Sequence, residues 1–89
     1  MTDNEIKKIA VIFKDAGIID PEKTLREKLI PRAIEQQKPL RKIINEFANP
    51  EADVNSEEHK FFVALVGIDK LAYSKLYSII DVIPEKPSD

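Results

Sequence analysis

The chain has 89 residues, of which 43% are hydrophobic and 34% are charged, and its formal net charge is −2 at pH 7. These proportions are typical of a single globular domain with one core, and they exclude a disordered or fibrous chain. Cysteine is absent and His59 is the only histidine. This excludes disulfides, thiol catalysis and zinc sites that use several cysteines or histidines.

The first helix is predicted to begin at Thr2 or Asp3 and to end near Ala16. Thr2 and Glu5 have the spacing of a capping box, in which each side chain accepts a hydrogen bond from the other residue's backbone. Apolar residues recur every three or four positions, which places them on one face: Ile6, Ile9, Ala10, Phe13 and Ala16. Gly17 then offers the left-handed conformation that commonly ends a helix.

A second helix is predicted to begin at Asp20, because aspartate caps helices well and Pro21 suits the first helical position. Its apolar stripe comprises Leu25, Leu29, Ile30, Ala33 and Ile34. Pro31 lacks a backbone N–H and crowds the preceding turn, so we expect a kink there or two short helices. A third helix is expected from Pro39 to Ala48. Its apolar face comprises Leu40, Ile43, Ile44 and Phe47.

The last two helices are predicted to follow a loop over residues 49–55. Asn55 can cap the fourth helix, in which residues 61–66 are apolar on every side, as expected for a helix buried from several directions. Asp69 can cap the fifth helix, which should run to about Val82. The apolar arc of this helix covers nearly half its circumference and comprises Ala72, Tyr73, Leu76, Tyr77, Ile79, Ile80 and Ile83.

These patterns predict an all-α fold, a compact bundle of four to five short helices with orthogonal or mixed packing and a kink near Pro31. We expect the fourth helix at its centre, with the first and fifth helices packed across it. Residues 1–83 should form one domain, and residues 84–89 a flexible tail with nothing to pack against. The N-terminal residues lack the pattern of a signal peptide, and the apolar run at residues 61–68 is too short for a membrane span. We therefore expect a cytoplasmic location.

The basic residues are unevenly distributed along the chain. Residues 23–42 contain seven bases and two acids, whereas residues 51–89 contain four bases and eight acids. Such asymmetry can steer a charged partner towards the protein, and it is equally compatible with ordinary solvated surface.

Residues 59–78 resemble the general spacing of a helix-turn-helix, with Gly67 at the turn. The positions that would hold the two helices together are Phe62, Val66, Ile68, Tyr73 and Leu76. The residues facing DNA would include Lys70, Ser74, Lys75 and Ser78. Leu71 occupies a position that should touch DNA, and two lysines are few for binding phosphates. The simpler interpretation is two core helices that meet at a glycine.

Catalytic motifs are not evident in this sequence. It contains no nucleophile motif, no glycine-rich phosphate loop and no calcium-binding loop, and its single imidazole leaves few ways to build a general base. We therefore expect no enzymatic activity, no metal site and no cofactor.

The preferred interpretation is a protein-binding or small regulatory module that acts through an apolar helix face, with a second copy as one candidate partner. Tyrosine is common at interfaces because it combines apolar area with a polar tip, and Tyr73 and Tyr77 lie one turn apart. The expected contact residues are Leu71, Tyr73, Tyr77 and Val82, with a charged rim of Arg26, Arg32, Arg41 and Lys42. DNA binding through residues 59–78 is the alternative.

Overall fold

The computed structural model describes residues 1–85, and within them it confirms the all-α prediction. The helices are α1 (Asp3–Asp15), α2 (residues 21–36), α3 (Leu40–Phe47), α4 (Glu57–Gly67) and α5 (Lys70–Ile80). The Cα radius of gyration is 12.3 Å. This value is close to the roughly 12 Å expected for a compact domain of this length.

The predicted boundaries of α1 are confirmed. The Glu5 N–H donates to the Thr2 hydroxyl at 3.2 Å, and the Thr2 N–H donates to the Glu5 carboxylate at 2.9 Å, which completes the capping box. After the helix, Gly17 has φ = 106°, a conformation that other residues adopt only with strain. These two signals set both ends of the first helix.

The disturbance expected at Pro31 takes the form of a π-helical turn within one continuous helix. The turn spans Leu25–Leu29, and the Ile30 N–H donates to the Leu25 carbonyl, five residues back. The wider turn accommodates a proline ring that would otherwise press on the carbonyl four residues before it. Helix α2 therefore continues through Pro31 and ends at Gln36, and the residue that follows it, Gln37, is left-handed with φ = 52°.

Two of the three predicted aspartate or asparagine caps are correct. The side chains of Asp20 and Asp69 each accept a hydrogen bond from the third residue of the following helix. The assignment of Asn55 was wrong by one position. Ser56 caps α4, because its hydroxyl accepts a hydrogen bond from the His59 N–H at 3.3 Å. Serine caps as well as asparagine does, so the sequence did not distinguish the neighbours.

Three phenylalanines from three helices meet in the core. Phe61 of α4 lies between Phe13 of α1 and Phe47 of α3, with ring centroids 4.8 Å and 5.2 Å away. The tilted and edge-on geometries are those that aromatic pairs prefer. The remaining buried apolar residues surround this cluster, namely Ile6, Ile9, Ala10, Ile18, Leu25, Leu29, Ala33, Leu40, Ile43, Ile44, Ala64, Leu76 and Ile80.

The central helix of the bundle is the short α3, so the expectation of a central fourth helix was wrong. Helix α3 packs against α2, α4 and α5, and its four apolar residues are all buried. Helix α1 packs against α2 and α5. Helix α4 lies at the periphery, with Phe61 and Ala64 as its only buried residues, while Val63 and Val66 are 52% and 70% exposed. An apolar run does not reveal how many neighbours a helix has.

The segment after α5 belongs partly to the packed domain. Helix α5 ends at Ile80, slightly before the predicted end at Val82. The Val82 carbonyl accepts a hydrogen bond from the Leu40 N–H at 2.9 Å, and Pro84 is buried. The prediction that Pro84 begins a tail without contacts was therefore wrong. Residues 86–89 of that predicted tail lie outside the described residues.

A polar contact joins α2 to the start of α4. The Thr24 hydroxyl, which is buried, donates to the Glu57 carboxylate, and Lys28 Nζ lies 2.9 Å from the other carboxylate oxygen. The hydrogen bond from Thr24, followed by that from Lys28, lowers the pKa of Glu57. Both interactions favour the ionised carboxylate.

Replacing Phe61 with alanine should lower the free energy of unfolding by about 3–5 kcal/mol, because it leaves a cavity between two aromatic rings. Urea denaturation followed by circular dichroism measures this loss. Val63→Ala is the matched control on the same helix, and it should change the free energy by about 0.5 kcal/mol or less because this side chain is exposed. Equal losses for the two variants would contradict the observed packing of α4.

The contact at Glu57 should make stability depend on pH. Because its pKa is lowered in the folded protein, its contribution is present above the ordinary value of 4.5 and is lost as the pH falls through the folded-state pKa. Glu57→Gln and Thr24→Val should both flatten the acid side of a curve of unfolding free energy against pH. Curves that parallel the unmodified protein down to acidic pH would show that the contact does not contribute.

Candidate interaction surfaces

Four side chains at the junction of α3 and α5 form the tyrosine surface, which comprises Tyr73, Tyr77, Arg41 and Asp81. The two tyrosine rings have centroids 6.0 Å apart and planes tilted by 37°. The Arg41 guanidinium lies 5.3 Å from the Tyr77 ring centroid, and its Nε donates to the Asp81 carboxylate at 2.9 Å. Tyr73 is 43% exposed and Tyr77 is 38% exposed, so this ordered group of side chains faces solvent.

The helix spacing explains how this surface is assembled. Tyr73 and Tyr77 lie one turn apart on α5, beside the buried Leu76 and Ile80. Because α3 packs on α5, Arg41 projects over Tyr77, and its hydrogen bond to Asp81 raises the pKa of the guanidinium. The cation over an aromatic face and the ion pair together restrict the orientations of these side chains.

The structure does not bring Leu71 into the tyrosine surface. Leu71 is 68% exposed, but it precedes Tyr73 by two residues, which is a rotation of roughly 200° around the helix. Val82 is 45% exposed and directly follows Asp81, so it lies at the edge of the tyrosine surface. One partner docked on the two tyrosines can reach Val82 more readily than Leu71.

The predicted charged rim is not continuous. Of its four residues, the structure places Arg41 within the tyrosine surface, with Lys42 next to it on α3 and exposed. Arg26 forms ion pairs with carboxylates of α1 and α2 at 3.1 Å and 3.0 Å, so its charge is compensated within the chain. Arg32 lies on α2 and is exposed. The sequence predicted their charge but could not predict their neighbours.

The residues proposed to face DNA are on the solvent side of α5. Lys70, Ser74, Lys75 and Ser78 are all exposed. The packing between α4 and α5 is less complete than a helix-turn-helix requires. Of the five positions that should hold the two helices together, only Leu76 is buried, while Val66 and Tyr73 are 70% and 43% exposed. Helices α4 and α5 therefore lack the buried seam that this motif requires.

A second exposed apolar surface runs along α4. This outer face of α4 comprises the half-buried Phe62 and the exposed Val63 and Val66. It lies opposite Phe61 and Ala64, which enter the core. The apolar run of residues 61–66 predicted a helix buried from several directions, so this outer face was not expected to be an interaction surface. The signal was present, since a helix with apolar residues all round needs partners on two sides.

Two grooves lie between the helices of the described chain. One of 780 Å³ is lined mainly by apolar residues of α2 and the C-terminal segment, including Ile30, Ile34 and Ile83. Another of 440 Å³ contains the contact between Thr24 and Glu57. Among the residues described, no group of three acidic or histidine side chains is placed to hold a metal ion.

Comparisons with protein-family models, curated proteins and solved structures find no match to this chain. Within residues 1–85, none of the helices combines the length and the apolar character needed to cross a membrane. The functional interpretation therefore rests on the surfaces described above.

Proposed function

We propose that this protein is a non-enzymatic interaction module, located in the cytoplasm, that binds a partner protein through the tyrosine surface. The observation that carries this proposal is the group formed by Tyr73, Tyr77 and Arg41, which is exposed and held in a defined arrangement. Tyrosine and arginine are among the residue types that most often dominate the binding energy of protein interfaces.

The internal contacts of this surface favour binding. Each tyrosine ring offers a large contact area with few rotatable bonds, so little conformational entropy is lost when a partner docks. The ion pair between Arg41 and Asp81 holds the guanidinium over Tyr77 before any partner arrives. Binding a partner therefore immobilises few additional side chains of this protein. Little of the binding energy is then lost to conformational entropy.

The chemistry of the surface indicates what would fit it. The tyrosine rings supply apolar area, while the charge of Arg41 is compensated by Asp81 and the adjacent, exposed Lys42 supplies positive charge. A complementary partner would present apolar side chains flanked by a carboxylate, as an amphipathic helix does. Binding of this kind suits a small regulator of a larger protein.

DNA binding through residues 59–78 has weaker support. The exposed Lys70 and Lys75 could contact phosphates, but Asp69 lies beside them and Leu71 projects from the same solvent side. Few cations on the recognition helix would give little of the electrostatic attraction on which DNA affinity depends. The exposure of Val66 and Tyr73 also leaves the motif without its usual packing.

Replacing Tyr73 and Tyr77 together with alanine should weaken partner binding strongly and retain the fold, because both rings are partly exposed. Losing two interface anchors should cost about 2 kcal/mol or more, roughly a thirtyfold rise in Kd. Affinity capture from the native host, followed by titration of the captured protein, measures this effect.

Lys75→Glu is the matched control on the same helix. It reverses a charge that DNA recognition would need, and it should leave protein binding through the tyrosines intact. The proposal would fail if the captured protein bound the tyrosine variant as well as the unmodified chain. Loss of a salt-sensitive duplex complex in Lys75→Glu alone would favour the DNA-binding alternative.

A further inference from the structure

The first turn of α3 is capped by the C-terminal segment, residues 81–84, instead of by a side chain. Each of the other helices has a capping side chain, namely Thr2, Asp20, Ser56 or Asp69. Pro39 precedes α3, and its ring cannot accept a hydrogen bond from the N–H groups that a first turn leaves without helical partners. The Leu40 N–H donates to the Val82 carbonyl at 2.9 Å. A backbone carbonyl from the far end of the domain therefore completes this helix.

A second contact lies one residue further along both segments. Asp81 directly precedes Val82, and Arg41 directly follows Leu40. The Arg41 Nε donates to the Asp81 carboxylate at 2.9 Å, with the guanidinium 5.3 Å from the Tyr77 ring centroid. Two consecutive residues of the C-terminal segment thus bind two consecutive residues of α3. The contact that orients Arg41 adjoins the contact that caps the helix.

Pro84 is the buried residue of the C-terminal segment. Val82 and Ile83 are 45% and 51% exposed, and helix α5 has already ended at Ile80. Pro84 lines the groove of 780 Å³ together with Ile30 and Ile34 of α2, and the same three residues line a smaller groove of 300 Å³. Residues beyond a helix end are poorly ordered unless a contact ties them down. The burial of Pro84 on α2 supplies such a contact.

We propose that Pro84 is a positioning residue of the tyrosine surface: its burial holds the C-terminal segment on α3, and the segment holds Arg41 over Tyr77. Pro84 is buried, so it cannot itself offer a surface to a partner docked on the exposed rings. It acts through Asp81, which carries the carboxylate that Arg41 binds. The consequence for partner binding rests on the proposed function, whereas the positioning is a property of the free chain.

Two N–H groups of the full chain report the two contacts separately in nuclear magnetic resonance spectra. The backbone N–H of Leu40 is the first of α3 and has no acceptor within its helix, so its slow exchange with solvent measures the bond to Val82. The Nε–H of Arg41 measures the bond to Asp81 beside the Tyr77 ring. Both should be protected in the unmodified chain.

Pro84→Ser should accelerate exchange at Leu40 about tenfold or more, because the capping carbonyl is released. The Nε–H signal of Arg41 should move towards that of the exposed Arg32. Exchange at the backbone N–H of Phe61, in the core, should stay unchanged, which separates local release from unfolding. Glu85→Ser is the matched control, since it changes the next residue, which is exposed, and it should alter none of these signals.

Asp81→Asn tests the link between the C-terminal segment and the guanidinium. It should release the Nε–H of Arg41 and leave exchange at Leu40 slow, because the Val82 carbonyl stays in place. Asp81→Glu keeps the carboxylate and should restore most of the Arg41 signal.

Partner binding provides a further measurement, made with the protein captured from the native host. Pro84→Ser should raise its Kd about fivefold or more, because the partner must then order Arg41 itself, and Glu85→Ser should not. If that protein bound the variant with alanine at positions 73 and 77 as tightly as the unmodified chain, the proposed function would fail. The two signals of the free chain would still decide whether Pro84 positions Arg41.

An Arg41 signal that Pro84→Ser leaves in place would overturn the inference, whatever happens at Leu40. Equal acceleration of exchange at Leu40 and Phe61 would also overturn it, because Pro84 would then stabilise the fold as a whole.

Discussion

The contact of Phe61 with Phe13 and Phe47 determines how α4 sits on the rest of the protein. Phe61 is fully buried and joins α4 to both α1 and α3. Fixing this side chain in the core fixes the rotation of the helix about its axis, because neighbouring positions are separated by roughly 100°. Val63 and Val66 must then face outwards, whatever their hydrophobicity. The apolar outer face follows from the aromatic contact.

The position of α3 has similar consequences for the other surface. This helix is short, yet it packs against three neighbours and buries all four of its apolar residues. Arg41, on the outer side of this helix, lies over the ring of Tyr77. The first N–H of the helix, that of Leu40, donates a hydrogen bond to the Val82 carbonyl. One small central helix therefore orders the tyrosine surface and anchors the C-terminal segment. The packing of α3 therefore supports both the core and the candidate site.

The local signals of the sequence predicted the helices well and their arrangement poorly. Caps at Thr2, Asp20 and Asp69 and the left-handed Gly17 depend on residues close together in the chain, so they were readable. The position of α3 and the exposure of α4 depend on contacts between distant residues. At Pro31 the sequence predicted a disturbance of the helix but not that it would take the form of a π turn. Tyr73 was expected as a contact residue from its type and spacing, whereas its association with Arg41 required the packing of α3 on α5.

The rotation of α4 about its axis can be measured directly, because the chain contains no cysteine. Single cysteines introduced by Ala64→Cys and Val66→Cys place a thiol on opposite sides of the same helix, where the native side chains are 2% and 70% exposed. In dilute solution the thiol at position 66 should react with a thiol reagent almost as fast as an unfolded peptide does. The thiol at position 64 should react at least about a hundredfold more slowly, since it requires local unfolding. Equal rates at the two positions would contradict the packing described for α4.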